Sequence, residues 1–499
     1  MNSRRNVSRA IDEAAEVFAN CWKTLVSMKE GRADRNNMQA IANFQHQLAQ
    51  ALVKLDRLYL DLAREKDALI AKKQRLKIEW FKRQMASRSK YQKALTEAIR
   101  IGKTVGDNFA WLFYMREPQL IARHLEHPGN LHMPSGIGAI GELAFAANIK
   151  PFKDQHIVIY HGTTSFLRIG DVSFVHLPTR TVSALGELKS KEGRTAGKVK
   201  QVEITLSLIG DAVQLPRRMP FLPKRSTSRA RSRPLTTLPA GREAQLRRQI
   251  SRMAAALDTD EPDRRIDVRQ LTNVLKLQEL ASRVNTREMS HIKVDDGLAI
   301  VGFRLAASRS KLSSRLLPRR FTGDTTRLTA STPEIAMELV DKSRRDNTMV
   351  ISRVTASFMP GMSPLFWSPL HSDVVEALTF ERLYCATWFN PVHLVSKLRQ
   401  AGMSVTTDAH GIPTAVAKPA STHGMLTARI TESTILFITQ HLVTEAAFVQ
   451  MLQRMFDEAE KYAPQNVEIC MPIFHYYDEP PPRLPKRHRR LSHRAKPGA

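Results

Sequence analysis

Four ionisable side chains between residues 142 and 189 have the types and the spacing that metal-assisted hydrolysis requires. Asp171 and Glu187 lie on two strand-like segments that a turn at residues 177–180 connects, and Lys189 follows Glu187 by two positions. Antiparallel pairing about that turn places Asp171 beside Glu187. Because alternate residues of a strand share one face, Lys189 is expected to join them. Glu142 is the one carboxylate in a segment of small and apolar residues with helical spacing, so we expect it to have a function.

Two carboxylates that converge on one point repel each other unless a cation neutralises them. Oxygen ligands of this hard type favour Mg²⁺ or Mn²⁺, so we expect Asp171, Glu187 and Glu142 to be metal ligands. A bound divalent ion lowers the pKa of its water and stabilises charge on a phosphate, while the neighbouring Lys189 can orient the nucleophile or counter that charge. This combination predicts hydrolysis of a phosphodiester bond. The alternative is that residues 187–192 are an ordinary charged strand end and Asp171 an ordinary turn acid.

The elements predicted around these residues would hold them in place. Strand-like runs predict three strands, His156–Tyr160, Phe166–Leu177 and Thr181–Lys189, of which the last two form a hairpin. Helical spacing predicts one helix over residues 135–148 and another over Lys198–Ile209. The unit is therefore expected to be an α/β core that brings a helical acid to a hairpin.

The same residues resemble the PD-(D/E)xK nuclease superfamily. The resemblance covers residues 134–209 and rests on Gly170-Asp171, a gap of fifteen residues, Glu187-Leu188-Lys189, the upstream Glu142 and a downstream helix with Lys198, Lys200 and Gln201. The predicted order of helix, three strands and helix is also the order of that family's core. The sequence departs from the family pattern at Gly170, where the family name has proline.

This resemblance implies a role for each matching residue. Asp171 and Glu187 would bind the metal, and Glu142 would support the metal or its waters. Lys189 would act on the attacking water, and Gln201 would lie near the substrate phosphate. The resemblance also implies a restriction-endonuclease-like core with one further strand, for which residues 298–305 are the candidate.

The charge of the chain indicates a polyanionic partner. Its formal charge is +28, from 76 lysines and arginines against 48 acids. We expect nucleic acid, with DNA preferred, and no membrane, because no basic helix has the apolar face of an interfacial anchor. The basic side chains expected to contact nucleic acid are Lys82, Arg83, Lys191, Lys198, Lys200, Arg229, Arg231 and Arg233.

The expected fold class is α+β and multidomain. No Gly or Pro interrupts residues 32–101, which are predicted to be a long helix that either folds back on a helix at Ser8–Lys29 or pairs as a coiled coil. A further helix is predicted from Asp107 to Glu126, ended by His127-Pro128-Gly129. The predicted organisation is a helical or coiled-coil arm (1–130), the nuclease core (131–214), a disordered basic loop (215–241), a helical insertion (242–290), a C-terminal α+β domain (306–479) and a disordered basic tail (480–499).

Several classes of protein are disfavoured by the sequence. Three cysteines without metal-ligand spacing, no apolar run of 18 residues and a polar N-terminus predict a soluble protein of the reducing cytoplasm. The expected function is a Mg²⁺-dependent nuclease of bacterial defence or DNA processing. Its expected partners are a second copy through the N-terminal helices and other subunits of such a system. The alternative is a non-catalytic DNA-binding or architectural protein with a degenerate nuclease scaffold.

Overall fold

The chain is a mixed α+β protein, which agrees with the predicted class at that level. The computed structural model describes residues 3–32, 34, 37–129, 131–133, 138, 141–142, 144–145, 155–196, 199–210, 240–257, 265–267, 271–284, 289–305, 311–317, 333–343, 347–359, 362–420, 424–462 and 473–475. The predicted basic tail lies outside these residues. The predicted basic loop also lies outside them, except for its last two residues, which begin a helix at Ala240.

Three long helices form the N-terminal part of the chain: α1 (Ser3–Lys29), α2 (Met38–Ala71) and α3 (Ile78–Tyr114). Glu13 of α1 pairs with Lys54 of α2, whereas Cys21 contacts Phe44, so the two helices run antiparallel. The predicted folding back of the long segment on the first helix is therefore confirmed. The long segment itself is two helices, because α3 turns back along α2.

A short 3₁₀ turn at Lys73–Arg75 divides the long segment, which the sequence analysis missed. Leu76 and Lys77 after it are extended, with ψ of 145° and 127°. Like charges at helical spacing repel each other. Four basic side chains crowd this point, so continued helix is disfavoured here: Lys72, Lys73, Arg75 and Lys77.

Gly102 and Gly106 lie inside α3, so the helix predicted over Asp107–Glu126 is confirmed as helix up to Tyr114, but its predicted start at Asp107 is wrong. A Cβ at Gly102 would lie 2.6 Å from the Phe18 ring, and one at Gly106 would lie 1.9 Å from the Thr163 carbonyl oxygen. Both glycines therefore permit close packing of α3 on its neighbours. Beyond α3, a second helix (Pro118–Leu125) ends ahead of His127, as predicted.

Replacement of Gly106 by alanine is expected to destabilise the protein, because the added carbon meets backbone rather than a flexible side chain. We expect the free energy of unfolding, measured with urea, to fall by about 1–3 kcal/mol. Ala68→Val is the control, because Ala68 is exposed on α2 and such surface changes cost less than about 0.5 kcal/mol. An unchanged urea midpoint for the Gly106 variant would contradict this packing.

The first sheet has the order β1-β2-β3-β4, and every neighbouring pair is antiparallel. Its strands are β1 (His156–Tyr160), β2 (Val172–His176), β3 (Thr181–Ala196) and β4 (Val199–Gly210). The predicted hairpin between β2 and β3 is confirmed, and its turn at residues 177–180 holds Arg180 at a φ of 51°. The second predicted strand is shorter than expected, because residues 166–171 are a loop.

The predicted helix over Lys198–Ile209 is wrong, because β4 pairs with β3 along this segment. From Val202 to Leu208 the residues alternate between apolar and polar, with β-branched side chains among them. That alternation is the pattern of a strand with one buried face. β3 and β4 continue beyond the last residue that β2 pairs with, Gly186, so they leave the sheet as a two-stranded ribbon.

The short strand β5 (Arg265–Asp267) comes next in the chain, and the four strands after it form a second sheet in the order β6-β7-β9-β8, antiparallel throughout. Its strands are β6 (Ser290–Asp295), β7 (Leu298–Arg304), β8 (Val350–Val354) and β9 (Leu383–Phe389). β7 is the strand predicted over residues 298–305, but it pairs in this second sheet and not with the first. The expectation that it completes the core around the acids is therefore wrong.

Helices and short strands surround the two sheets. The remaining elements are helices Ala240–Leu257, Leu275–Arg283, Leu312–Leu316, Ser372–Thr379, Pro391–Gln400, Glu432–Gln440 and Glu445–Tyr462, with strands Ser404–Thr407, Pro413–Ala420, Gly424–Arg429 and Ile473–His475. Buried apolar side chains of α1 to α3 and of both sheets form one continuous cluster, which includes Phe18, Phe109, Phe174 and Phe389. The inner half of α3 therefore packs directly beneath the first sheet.

Candidate active site

The start of β2 and the middle of β3 bring Asp171 and Glu187 together, as the hairpin predicts. The Asp171 amide donates to the Gly186 carbonyl at 2.8 Å, and the Leu188 amide donates to Asp171 Oδ2 at 2.6 Å. Lys189 Nζ lies 2.6 Å from Glu187 Oε1. The Glu187 side chain is 6% exposed and that of Lys189 is 47% exposed. The carboxylate of this ion pair is therefore buried, whereas its lysine is accessible to solvent.

Gly170 allows the backbone to turn directly before Asp171. Its φ is +70°, and a Cβ there would lie 2.8 Å from the Gly186 carbonyl oxygen. Proline fixes φ near −65°, so the residue in the family name would not fit this backbone. The departure from the family pattern at Gly170 therefore has a structural cause.

Glu142 joins the two hairpin acids from a segment in which residues 141–142 and 144–145 are helical. Its side chain accepts a hydrogen bond from the Tyr160 hydroxyl of β1 and is buried. Burial, together with the negative charge of Glu187, raises the pKa of Glu142 to about 7, while the hydrogen bond from Tyr160 opposes that rise. The three predicted ligand residues are thus close enough to influence one another.

The pKa of Asp171 is raised further above its ordinary value than the pKa of Glu142. Burial, together with the charges of Glu187 and Glu142, raises the pKa of Asp171 to about 8, against the opposing effect of the hydrogen bond from the Leu188 amide. A group of acids that retains protons near neutral pH is typical of a site where a cation or catalysis needs them.

Lys103 is a charged neighbour that the sequence analysis missed. It is 3% exposed on α3, and its ammonium group donates to the Thr164 carbonyl at 3.0 Å. Burial lowers the pKa of Lys103 to about 8, while the nearby acids, among them Asp107 and Glu142, oppose that change. The signal in the sequence is a lysine four residues before an acid, Asp107, in a stretch rich in apolar residues that leads to Tyr114, because a buried cation needs an anionic partner.

A buried polar network supports the Gly170-Asp171 turn from behind. His161 Nδ1 donates to the Gly170 carbonyl at 3.0 Å, and the His161 amide donates to the Asp171 carbonyl at 2.9 Å. The other ring nitrogen lies on the Ser173 hydroxyl, which also contacts Tyr114. Burial lowers the pKa of His161 to about 4, so this histidine is neutral and acts as a fixed hydrogen-bonding group.

The donor set fits a hard divalent cation in chemistry, since all three acids offer oxygen ligands. Each acid, however, is turned towards its own protein donor: Asp171 to an amide, Glu142 to Tyr160 and Glu187 to Lys189. Within the described part of the chain, no group of three or more His, Cys, Asp or Glu side chains is already arranged to hold a metal. Side-chain rotation would therefore have to accompany binding of an ion.

Gln201 does not reach the three acids. Glu187 pairs with Ser207 on β4, and Gln201 lies six residues further along that strand, about 20 Å away at 3.3 Å per residue. Gln201 is therefore further along the backbone from Glu187 than the resemblance implies, because residues 199–210 form a strand and not the predicted helix. Its contact with a substrate phosphate stays a prediction.

The predicted nucleic-acid contacts lie in several places. Lys191 and Lys200 belong to the β3–β4 ribbon, opposite Glu203 and Thr195 respectively. Lys82 and Arg83 are exposed near the start of α3, at the far end of the helical hairpin. Lys198, Arg229, Arg231 and Arg233 lie outside the described residues.

No family model, curated protein or solved structure matches this chain. Among the helices that the structure describes, none has the length and apolar character needed to cross a bilayer. Function must therefore be inferred from the residues of the chain itself.

Proposed function

We propose that this protein is a metal-dependent phosphodiester hydrolase that acts on nucleic acid, with DNA as the preferred substrate. The observation that carries the proposal is the mutual approach of Glu142, Asp171 and Glu187, with Lys189 on Glu187. Buried like charges are costly unless a cation compensates them. Two pKa values raised to about 7 and about 8 express that cost.

The three acids would hold Mg²⁺ or Mn²⁺, which supplies an activated water and charge stabilisation at the phosphate when bound. Lys189, whose side chain is half-exposed, can leave Glu187 and contact the attacking water or a phosphate oxygen. Lys103 remains buried beneath Glu142 and offsets part of the negative charge of the cluster. His161 keeps the Gly170-Asp171 turn in place, so Asp171 stays directed towards the hairpin.

We propose a likeness to PD-(D/E)xK nucleases for this motif only, and not for the whole of that family's core. Its support is the Gly170-Asp171 turn, the Glu187-Leu188-Lys189 strand and the helical Glu142, which meet as the resemblance implies. A strand stands where the family's second helix is expected, and residues 298–304 belong to another sheet. A defence or DNA-processing setting, a cytoplasmic location and a homodimer remain predictions from the sequence.

The second candidate is a nucleic-acid-binding protein without activity. Its specific support is that each acid already has a protein donor, as in a scaffold that has lost its metal. The two candidates differ in cleavage and not in binding. Supercoiled plasmid and single-stranded DNA, incubated at low salt with Mg²⁺, Mn²⁺ or EDTA, separate them: metal-dependent nicking or degradation supports the hydrolase, and DNA binding without cleavage in either metal supports the scaffold.

The basic end of the helical hairpin gives a prediction on binding that holds for both candidates. Each lysine or arginine on a phosphate contributes a slope of about 0.9 in log affinity against log salt for duplex DNA. The double variant Lys82→Ala/Arg83→Ala should therefore lower the slope by about 2, measured by anisotropy in EDTA. Lys23→Ala/Arg399→Ala, exposed on other helices, is the matched control and should keep the wild-type slope. Equal slopes for both double variants would show that Lys82 and Arg83 do not contact the DNA phosphates.

A further inference from the structure

The far end of the α2–α3 hairpin combines exposed apolar side chains with positive charge. Ile70 and Ile78 are each 52% exposed and Trp80 is 40% exposed. Among the described residues, the other large exposed apolar side chains are scattered singly: Leu275, Met337, Ile351 and Met425. Scattered examples are ordinary, whereas a local group on a protruding element indicates an interaction surface.

The positive charge around Ile70, Ile78 and Trp80 indicates which kind of partner binds them. Residues 72–83 contain six basic side chains, Lys72, Lys73, Arg75, Lys77, Lys82 and Arg83, against the single acid Glu79. Glu79 pairs with Lys82 at 3.3 Å, and both side chains remain mostly exposed. A second copy of the chain would carry the same positive charge here, and three apolar side chains supply far less area than a stable dimer needs. A polyanion with apolar faces is the complementary partner.

Nucleic acid meets both requirements, since its phosphates attract the basic side chains and its bases offer flat apolar faces. Aromatic side chains stack on unpaired bases, and aliphatic ones insert at distorted base steps. Ile78 lies 25 residues before Lys103 on the same helix, which is about 37 Å at 1.5 Å per residue. The tip therefore stands roughly one turn of duplex from the acids.

We propose that the hairpin tip is a nucleic-acid contact in which Trp80 stacks on a base, Ile70 and Ile78 flank it, and the surrounding basic side chains bind phosphates. The proposal rests on the proposed function for its partner class, but it uses none of the residues of the candidate active site. Loss of one base stack weakens binding about 5- to 150-fold. Trp80→Ala should lie in that range, and its salt slope should remain that of wild type.

Trp80 can be observed directly, because the other tryptophans are more enclosed. Trp22, Trp111 and Trp388 are at most 2% exposed, and Trp367 is partly buried. A single-stranded oligonucleotide and a duplex of the same sequence, each titrated in EDTA, should quench the part of the emission that is missing from Trp80→Phe. Stronger quenching by the single strand means stacking on unpaired bases, and equal quenching means insertion into the duplex. Ile351→Ala, a lone exposed residue on β8, is the control and should bind as wild type.

Two outcomes overturn the proposal. One is equal affinity of Trp80→Ala and wild type, with no quenching that depends on Trp80. The other is a blue shift of Trp80 emission with vesicles of anionic phospholipid and no response to either oligonucleotide, which would make the tip a membrane contact. Hydrolysis of bis(p-nitrophenyl) phosphate tests the proposed function separately from the proposed contact at the tip. This small diester cannot span the distance from the acids to the tip, so its hydrolysis reports only on the acids.

Discussion

Glu187→Gln is expected to lower metal-dependent cleavage on the order of 10³-fold, because it removes a negative oxygen from the point where the metal and the developing phosphate charge meet. Lys189→Met, which keeps the length of the side chain without its charge, should cost a similar factor. Cleavage of labelled DNA at saturating Mg²⁺ measures both. Their affinities for DNA in EDTA should differ little from wild type, because Glu187 is buried and only one of the many positive charges is lost.

The contact between Glu187 and Lys189 also makes a prediction about the double variant. Groups that act as one unit have losses that do not multiply. Since Lys189 Nζ lies 2.6 Å from Glu187 Oε1, the double variant should be about as slow as either single variant. Glu432→Gln, an exposed acid at the start of a distant helix, should retain full activity. Wild-type rates in Glu187→Gln would refute the assignment of this acid.

Asp171→Asn is expected to stabilise the metal-free protein at pH 8, although it removes a proposed ligand. The ordinary pKa of this carboxyl is 3.8, and burial together with Glu187 and Glu142 raises it to about 8. Between these values the folded state binds more protons than the unfolded state, so stability falls as the pH rises from about 4 to about 8. Asparagine has no charge to bury and still offers an oxygen to the Leu188 amide.

The expected gain is about 2 kcal/mol at pH 8, less than the full shift would give, because Asp171 is only partly enclosed. Thermal unfolding at pH 4.5 and at pH 8 in EDTA measures it, and the gain should nearly vanish at the lower pH. Addition of Mn²⁺ should stabilise wild type more than the variant, since binding to the folded state alone raises stability. A variant less stable than wild type at pH 8 without metal would argue against the clustered acids.

The hairpin that carries Asp171, Glu187 and Lys189 could be predicted from the sequence because its causes are local. The alternation of residues sets the faces of a strand, and the turn sets the register. Glu142 could be found for a related reason, as a lone acid among small apolar residues. None of these inferences depends on distant parts of the chain.

Other features could not be predicted from the sequence, because they depend on tertiary contacts. Lys103 becomes part of the site only when α3 packs against residues 163–164, and Gly102 suggests a helix end until Phe18 is known to lie against it. The alternation of apolar and polar residues over 202–208 favours the strand that is observed at Val199–Gly210, and the helical interpretation of this segment overlooks it. Pairing of residues 298–304 with β9, which is remote in sequence, has no local signal.

Binding of Mn²⁺ to the metal-free protein, followed by the electron paramagnetic resonance signal of the free ion, tests the central claim most directly, because it does not depend on the choice of substrate. Wild type and Glu432→Gln should each remove Mn²⁺ from solution at one tight site. The double variant Asp171→Asn/Glu187→Gln should lose that site while keeping its fold by circular dichroism. Equal Mn²⁺ binding by the double variant, or none by wild type, would contradict a metal site at these acids.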